Sequence, residues 1–156
     1  MHKTPEITTL IHANFWLVIS FAFVQPRLGE VLETRFRGEW KYLRNSFYEL
    51  AEIRADRALL EMATQLRVLD DSEGISEYLK QTKGPCLGKV TQGDGTVTDL
   101  FLRDMTNKVM HAAAFEWDFS ERDAPKVNCI PHDKERWKKA EVDLIVLAGF
   151  VGMLMF

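Results

Sequence analysis

No glycine or proline interrupts the chain between Gly38 and Gly74. Glycine and proline are the usual punctuation of strands and turns, so a run of this length without either excludes a chain built mainly of short strands. Within it, Phe36, Trp40, Leu43, Phe47, Leu50 and Ala51 recur at steps of three and four, the spacing of one apolar helix face. Residues 30–70 therefore predict helix. At about 100° per residue, Arg54 falls near the centre of that face and Glu61 close to it, while Leu59, Met62, Ala63, Leu66 and Leu69 lie roughly a quarter-turn away. Either the helix breaks near residues 54–57, or it continues and changes neighbours. Arg54 then points inward or snorkels to water along its aliphatic stem.

The flanking segments add shorter elements. Residues 6–24 predict a first helix, with strand as the alternative, and Pro26 is expected to end it. Gly74, after "DDSE", stops the long helix, and 75–81 predicts a short one. Residues 82–97 read as a loop or small hairpin turning at "GDG", residues 93–95. Thr98 has the chemistry of an N-cap, with Asp99 in the first turn, for a helix reaching about Ala114. After it the pattern changes. "FEWDFS" (115–120) alternates apolar and polar residues, and "VNCI" (127–130) and "AEVDLIVLAGF" (140–150) are its candidate partners, implying a small antiparallel sheet or hairpin. Trp40 and Trp117 are expected in the core.

The expected fold class is α+β: a bundle of three to four helices followed by a small antiparallel sheet at the C-terminal end. With 156 residues the chain is long enough for one domain with a sizeable core. It is read as a single domain, 1–156, with a helical body over about 6–114 and a β-rich end over about 115–156. Hydrophobic residues are 46% and charged residues 28% of the chain, which excludes extensive disorder. A net charge of −3 gives no global attraction to nucleic acid or anionic lipid. The apolar runs "FWLVISFAFV" (15–24) and "LIVLAGFVGMLMF" (144–156) are each shorter than the roughly 20 residues a spanning helix needs, so no membrane span is expected. Cys86 and Cys129 form no disulfide framework or metal spacing. Reduced thiols fit a cytoplasmic location; the secreted or periplasmic alternative rests on reading residues 15–24 as a signal segment with Ser20 and Ala22 at its cleavage site.

"RDMTNKVMH", residues 103–111, carries the candidate chemistry. Arg103, Asn107 and His111 recur every four residues and share one side of a helix, with about 40° of drift per step. Arginine offers a fork of donors to phosphate oxygens, histidine can move a proton near neutral pH, and asparagine can orient either. Such a set suits metal-free RNA cleavage by the ribose 2′-hydroxyl; a solvated helix face or a buried His–Asn brace is the plainer account. "TNKVMHA" (106–112), late in a helical body, resembles the HEPN superfamily. That resemblance implies RNA as substrate, metal-independent cleavage and a dimer that juxtaposes two motifs, with Asn107 and His111 at the family's polar and histidine positions. The family's arginine position holds Thr106 here, and Arg103 lies about one turn earlier. Arg54 and Arg57 are the candidate replacement cations.

"KERWKKAE" (134–141) offers Lys138 and Lys139 as phosphate contacts beside Trp137, or as lysines guarding a solvated strand edge. His111, His132 and Asp133 match no structural zinc spacing, "GKVTQGDG" lacks the end of a P-loop, and no metal or cofactor is expected. Three functions stay open: an interaction module that dimerises or binds a protein partner through apolar surfaces near its ends, an RNA-binding protein or endoribonuclease, and a secreted protein.

Overall fold

A computed structural model describes residues 4–35, 37–38, 41–82 and 84–154. Its elements, in order, are α1 (Thr4–Arg35), α2 (Lys41–Glu73), α3 (Ile75–Thr82), β1 (Gly88–Gln92), β2 (Val97–Leu100), α4 (Leu102–Met110), β3 (Ala112–Asp118), β4 (Lys126–Pro131), β5 (Trp137–Asp143) and α5 (Leu144–Met153). The fold is α+β and dominated by helix. The strands form one antiparallel sheet in the order β2-β1-β5-β4-β3. A continuous core joins Ile11, Phe15 and Val18 of α1, Leu59, Met62 and Leu66 of α2, Met105 of α4 and Leu147 of α5 to Val90, Val127, Ala140 and Val142 of the sheet. The other sheet face carries the Lys89–Asp99 and Lys126–Glu141 ion pairs, as expected for an antiparallel sheet covered on one side.

The first helix does not stop at Pro26. It runs on to Arg35 with the proline inside it, because its continuation is packed: Gln25, Gly29 and Leu32 are all buried. At Gly29 a Cβ would stand 2.2 Å from the Tyr48 hydroxyl, so a larger residue here would displace the Tyr48 side chain. From Lys41 onward α2 is one unbroken helix. The face it buries is Ala55, Ala58, Leu59, Met62, Ala63, Leu66 and Leu69. Phe47 and Leu50, expected on a buried stripe, are exposed, Leu50 by 63%. Of that stripe, Phe36, Trp40 and the Leu43 side chain lie outside the described residues.

Two boundaries differ from the sequence reading because strand pairing won. Thr98 does not cap a helix; it pairs with Val90 in the β1–β2 hairpin, so α4 starts at Leu102 behind Phe101. At the other end Ala112 and Ala114 pair with Pro131 and Ile130. The run 140–150 is a strand only to Asp143, whose carboxylate accepts from the Ile145 and Val146 amides and starts α5, an N-cap that the strand reading passed over.

Candidate functional site

The polar stripe is split by its neighbours. Arg103, in the first turns of α4, faces the end of α2, where its guanidinium is paired with Asp71 and, at 3.2 Å, with Asp70. Asp70 is only 3% exposed and also accepts from the Ser76 amide and hydroxyl at 2.6 and 2.7 Å. Burial raises its pKa, but the bonds from Ser76 and Arg103 outweigh that, and the carboxyl sits below its ordinary value. Arg103 is thus a brace between α2, α3 and α4 rather than part of the cleft that follows.

Asn107 and His111 open instead into a cleft of about 440 Å³, shared with Gln92, Lys108, Arg136 and Trp137. The arginine that meets Asn107 is Arg67 of α2, which donates to its side-chain carbonyl. The Asn107 NH₂ remains as the donor it can offer the cleft. Arg67 also lies 3.7 Å from Asp71. Lys108 stands 4.7 Å over the Trp137 ring and 3.4 Å from Asp104. His111 ends α4, its amide bonded to the Asn107 carbonyl at 3.0 Å. Arg136 is placed by the β1–β2 turn: the Gly93 amide donates to its carbonyl at 2.9 Å. A Cβ at Gly93 would stand 1.6 Å from the Glu135 carbonyl oxygen, so this contact requires glycine. Sequence reasoning missed Arg67, Gln92 and Arg136; only pairing across the fold brings them here.

The other proposed residues fall elsewhere. Arg54 and Arg57 are exposed on α2, and Arg57 is paired with Glu61 at 3.0 Å. Thr106, at the position of the family arginine, is fully buried and donates its hydroxyl to the Arg103 carbonyl. Lys138 and Lys139 are not on a sheet edge, since β5 is the central strand; Lys138 sits at the irregularity where Gln92 pairs with Trp137 and Thr91 with Lys139. Among the described residues no three His, Cys, Asp or Glu side chains come together as metal ligands. The Cys129 thiol is buried and pushed up to about 12 by that burial, which makes it inert rather than nucleophilic. Cys86 donates to the Gly88 carbonyl.

A second surface is larger. From Ile7 to Pro26 the chain has no Asp, Glu, Lys or Arg, and α1 makes this one helix. One side of it, Ile11, Phe15, Val18 and Ala22, is buried. The opposite side carries Leu10, Trp16, Leu17, Phe23 and Val24, all exposed, Trp16 by 69%. The apolar run read as too short lies within Glu6–Arg35, which is long and apolar enough to cross a membrane by length and composition, with 22% of its most apolar window buried. A helix apolar all round is normally covered on both sides.

No family model, curated protein or solved structure matches this chain.

Proposed function

We propose that this protein is an interaction module that docks a protein surface onto the outward face of α1. The observation that carries this reading is the set Leu10, Trp16, Leu17, Phe23 and Val24: large apolar side chains in water, aligned on one side of a single helix. Scattered exposed apolar residues need no account, but a contiguous set of this size marks a contact surface. The test is the mass of the protein recovered from cells under native conditions. Wild type is expected in an assembly larger than its 18.0 kDa chain, and Leu17→Lys with Phe23→Lys at the chain mass with unchanged helical circular dichroism. Wild type at the chain mass, or an assembly that survives both substitutions, refutes the reading.

A second reading, RNA binding with metal-independent cleavage, is favoured by one observation. The Asn107–His111 pair that resembles the HEPN motif opens into the cleft that holds Lys108 and Arg136. On this reading the cations hold phosphate oxygens and His111 moves a proton. RNA degradation in the presence of a chelator, abolished by His111→Ala, supports it; full activity in that variant excludes the site.

A further inference from the structure

We infer that the partner of the α1 face is a second copy of this chain, packed antiparallel about a two-fold axis between Trp16 and Leu17; this rests on the docking reading above. Along the outward face, Glu6, Leu10, Ala13, Leu17, Ser20, Val24 and Arg27 follow one another at alternating steps of four and three. That is the heptad spacing of a helix that meets another helix. Large Leu10, Leu17 and Val24 alternate with small Ala13 and Ser20, which lets two helix axes come close.

A two-fold axis at Trp16/Leu17 sets Ala13 opposite Ser20 of the other copy at the middle of the seam, with Leu10, Leu17 and Val24 along one flank and Trp16 and Phe23 along the other. It also sets Glu6 opposite Arg27 at both ends, so these two charges meet their opposites. A parallel pair would oppose Glu6 to Glu6 and Arg27 to Arg27. Within one chain Arg27 is paired with Glu30, at 2.8 Å and largely in water, and exposed pairs of this kind are exchanged at little cost. Leu10, Trp16 and Val24 are each more than half exposed on this face, the kind of apolar centre that a standard interface of roughly 800 Å² per partner is built around.

Charge argues against a lipid surface. Helices that lie on anionic membranes are flanked by an excess of lysine and arginine, whereas this face is bordered by Glu6 and Glu30 as well as Arg27 and Arg35. Its tryptophan stands in the middle of the apolar stretch, not at an end where a bilayer interface would hold it. On its inner side Asn14 donates to Gln65 of α2 at 3.0 Å, which ties the helix to a charged neighbour.

The experiment uses the purified full chain, alone, in sedimentation equilibrium at physiological salt. A species of twice the 18.0 kDa chain mass is expected. Arg27→Glu should weaken it by about tenfold or more, and Glu6→Arg combined with Arg27→Glu should restore it. In a Cys86→Ala background, Ala13→Cys and Ser20→Cys should form a disulfide dimer when mixed and oxidised, and neither alone. Cross-linking of Ala13→Cys to itself in preference to Ser20→Cys, or a charge swap that fails to restore association, overturns the antiparallel pairing. A chain that stays monomeric alone, yet is found with a different protein in the native assembly, overturns the second copy and leaves the docking reading standing. Absence of any assembly in both experiments overturns both, as does a monomer that sediments with phosphatidylcholine–phosphatidylserine vesicles.

Discussion

The Trp117 indole N–H donates to the Asp56 carboxylate at 2.8 Å, fastening the middle of α2 to the edge strand of the sheet. The same ring packs edge-on against Phe21 of α1, with centroids 4.9 Å apart, and stacks on Phe119. One side chain therefore holds both long helices and the sheet margin together. Trp117 was expected in the core; it is half-buried, with its polar end satisfied, as a large indole usually is.

This bond makes an acid residue whose charge is a burden. Burial raises the pKa of Asp56, the Trp117 bond opposes the rise, and Glu52 adds to it. A folded-state pKa above the unfolded one means that the native state takes up the proton first as pH falls. The site therefore favours folding more as pH drops toward the ordinary carboxyl value of 3.8. Asp56→Asn keeps an acceptor for the indole and removes the charge, so at neutral pH it should be at least as stable as wild type. Asp56→Ala should lose about 1 kcal/mol, the net worth of one hydrogen bond. Urea denaturation of both variants checks this; equal losses would show that the charge itself is needed.

Asp70 has the opposite sign. Its pKa is lowered, the Ser76 and Arg103 bonds outweighing burial, so its contribution is present above 3.8 and is lost as pH falls through the lower folded value. Asp70→Asn should cost about 1–3 kcal/mol near neutrality, because Arg103 and Ser76 lose a buried ionised partner. The gap to wild type should close in acid well below 3.8. A gap that stays constant with pH would mean that packing, not the ion pair, accounts for the loss.

The part of this architecture that was legible in the sequence is the part set by local chemistry. The helical run after Gly38, the hairpin turning at 93–95 and the strands around Trp117 and Cys129 follow from spacing and turn residues. What was not legible depended on partners far along the chain. Pro26 signals a helix end, and only the burial of Gln25, Gly29 and Leu32 against the rest of the fold shows why the helix continues. Phe47 and Leu50 form a better stripe than Ala55 and Ala58, yet α1 packs on the alanines, whose small side chains admit a close helix. Arg103 had the right spacing for the site, but two aspartates at the end of α2 hold it away. Arg67, far upstream, supplies the arginine that Asn107 meets.

The two thiols should separate cleanly by reactivity. Cys129 is fully buried, with its pKa pushed up to about 12, so the native protein presents almost no thiolate there. Cys86 is half-buried and is expected to react first. Alkylation with iodoacetamide at mildly alkaline pH, read by mass spectrometry, should add one group to the folded protein and a second only in denaturant. Modification of Cys129 at the rate of Cys86 under native conditions would show that β4 opens locally without global unfolding.

Pro26 leaves the Ala22 carbonyl without the amide donor that a helix interior would supply, since proline has no N–H. In a helix interior proline is about 3 kcal/mol less favourable than alanine. Part of that is returned through the unfolded chain, which proline stiffens by about 0.4–1 kcal/mol. Pro26→Ala should therefore stabilise the protein by about 2 kcal/mol, a rise in Tm of about 4–8 °C for a domain of this size. Thermal unfolding by circular dichroism measures it directly. A fall in Tm would mean that the half-buried pyrrolidine ring, between α1 and the loop that carries Phe119, contributes more by packing than the missing hydrogen bond costs.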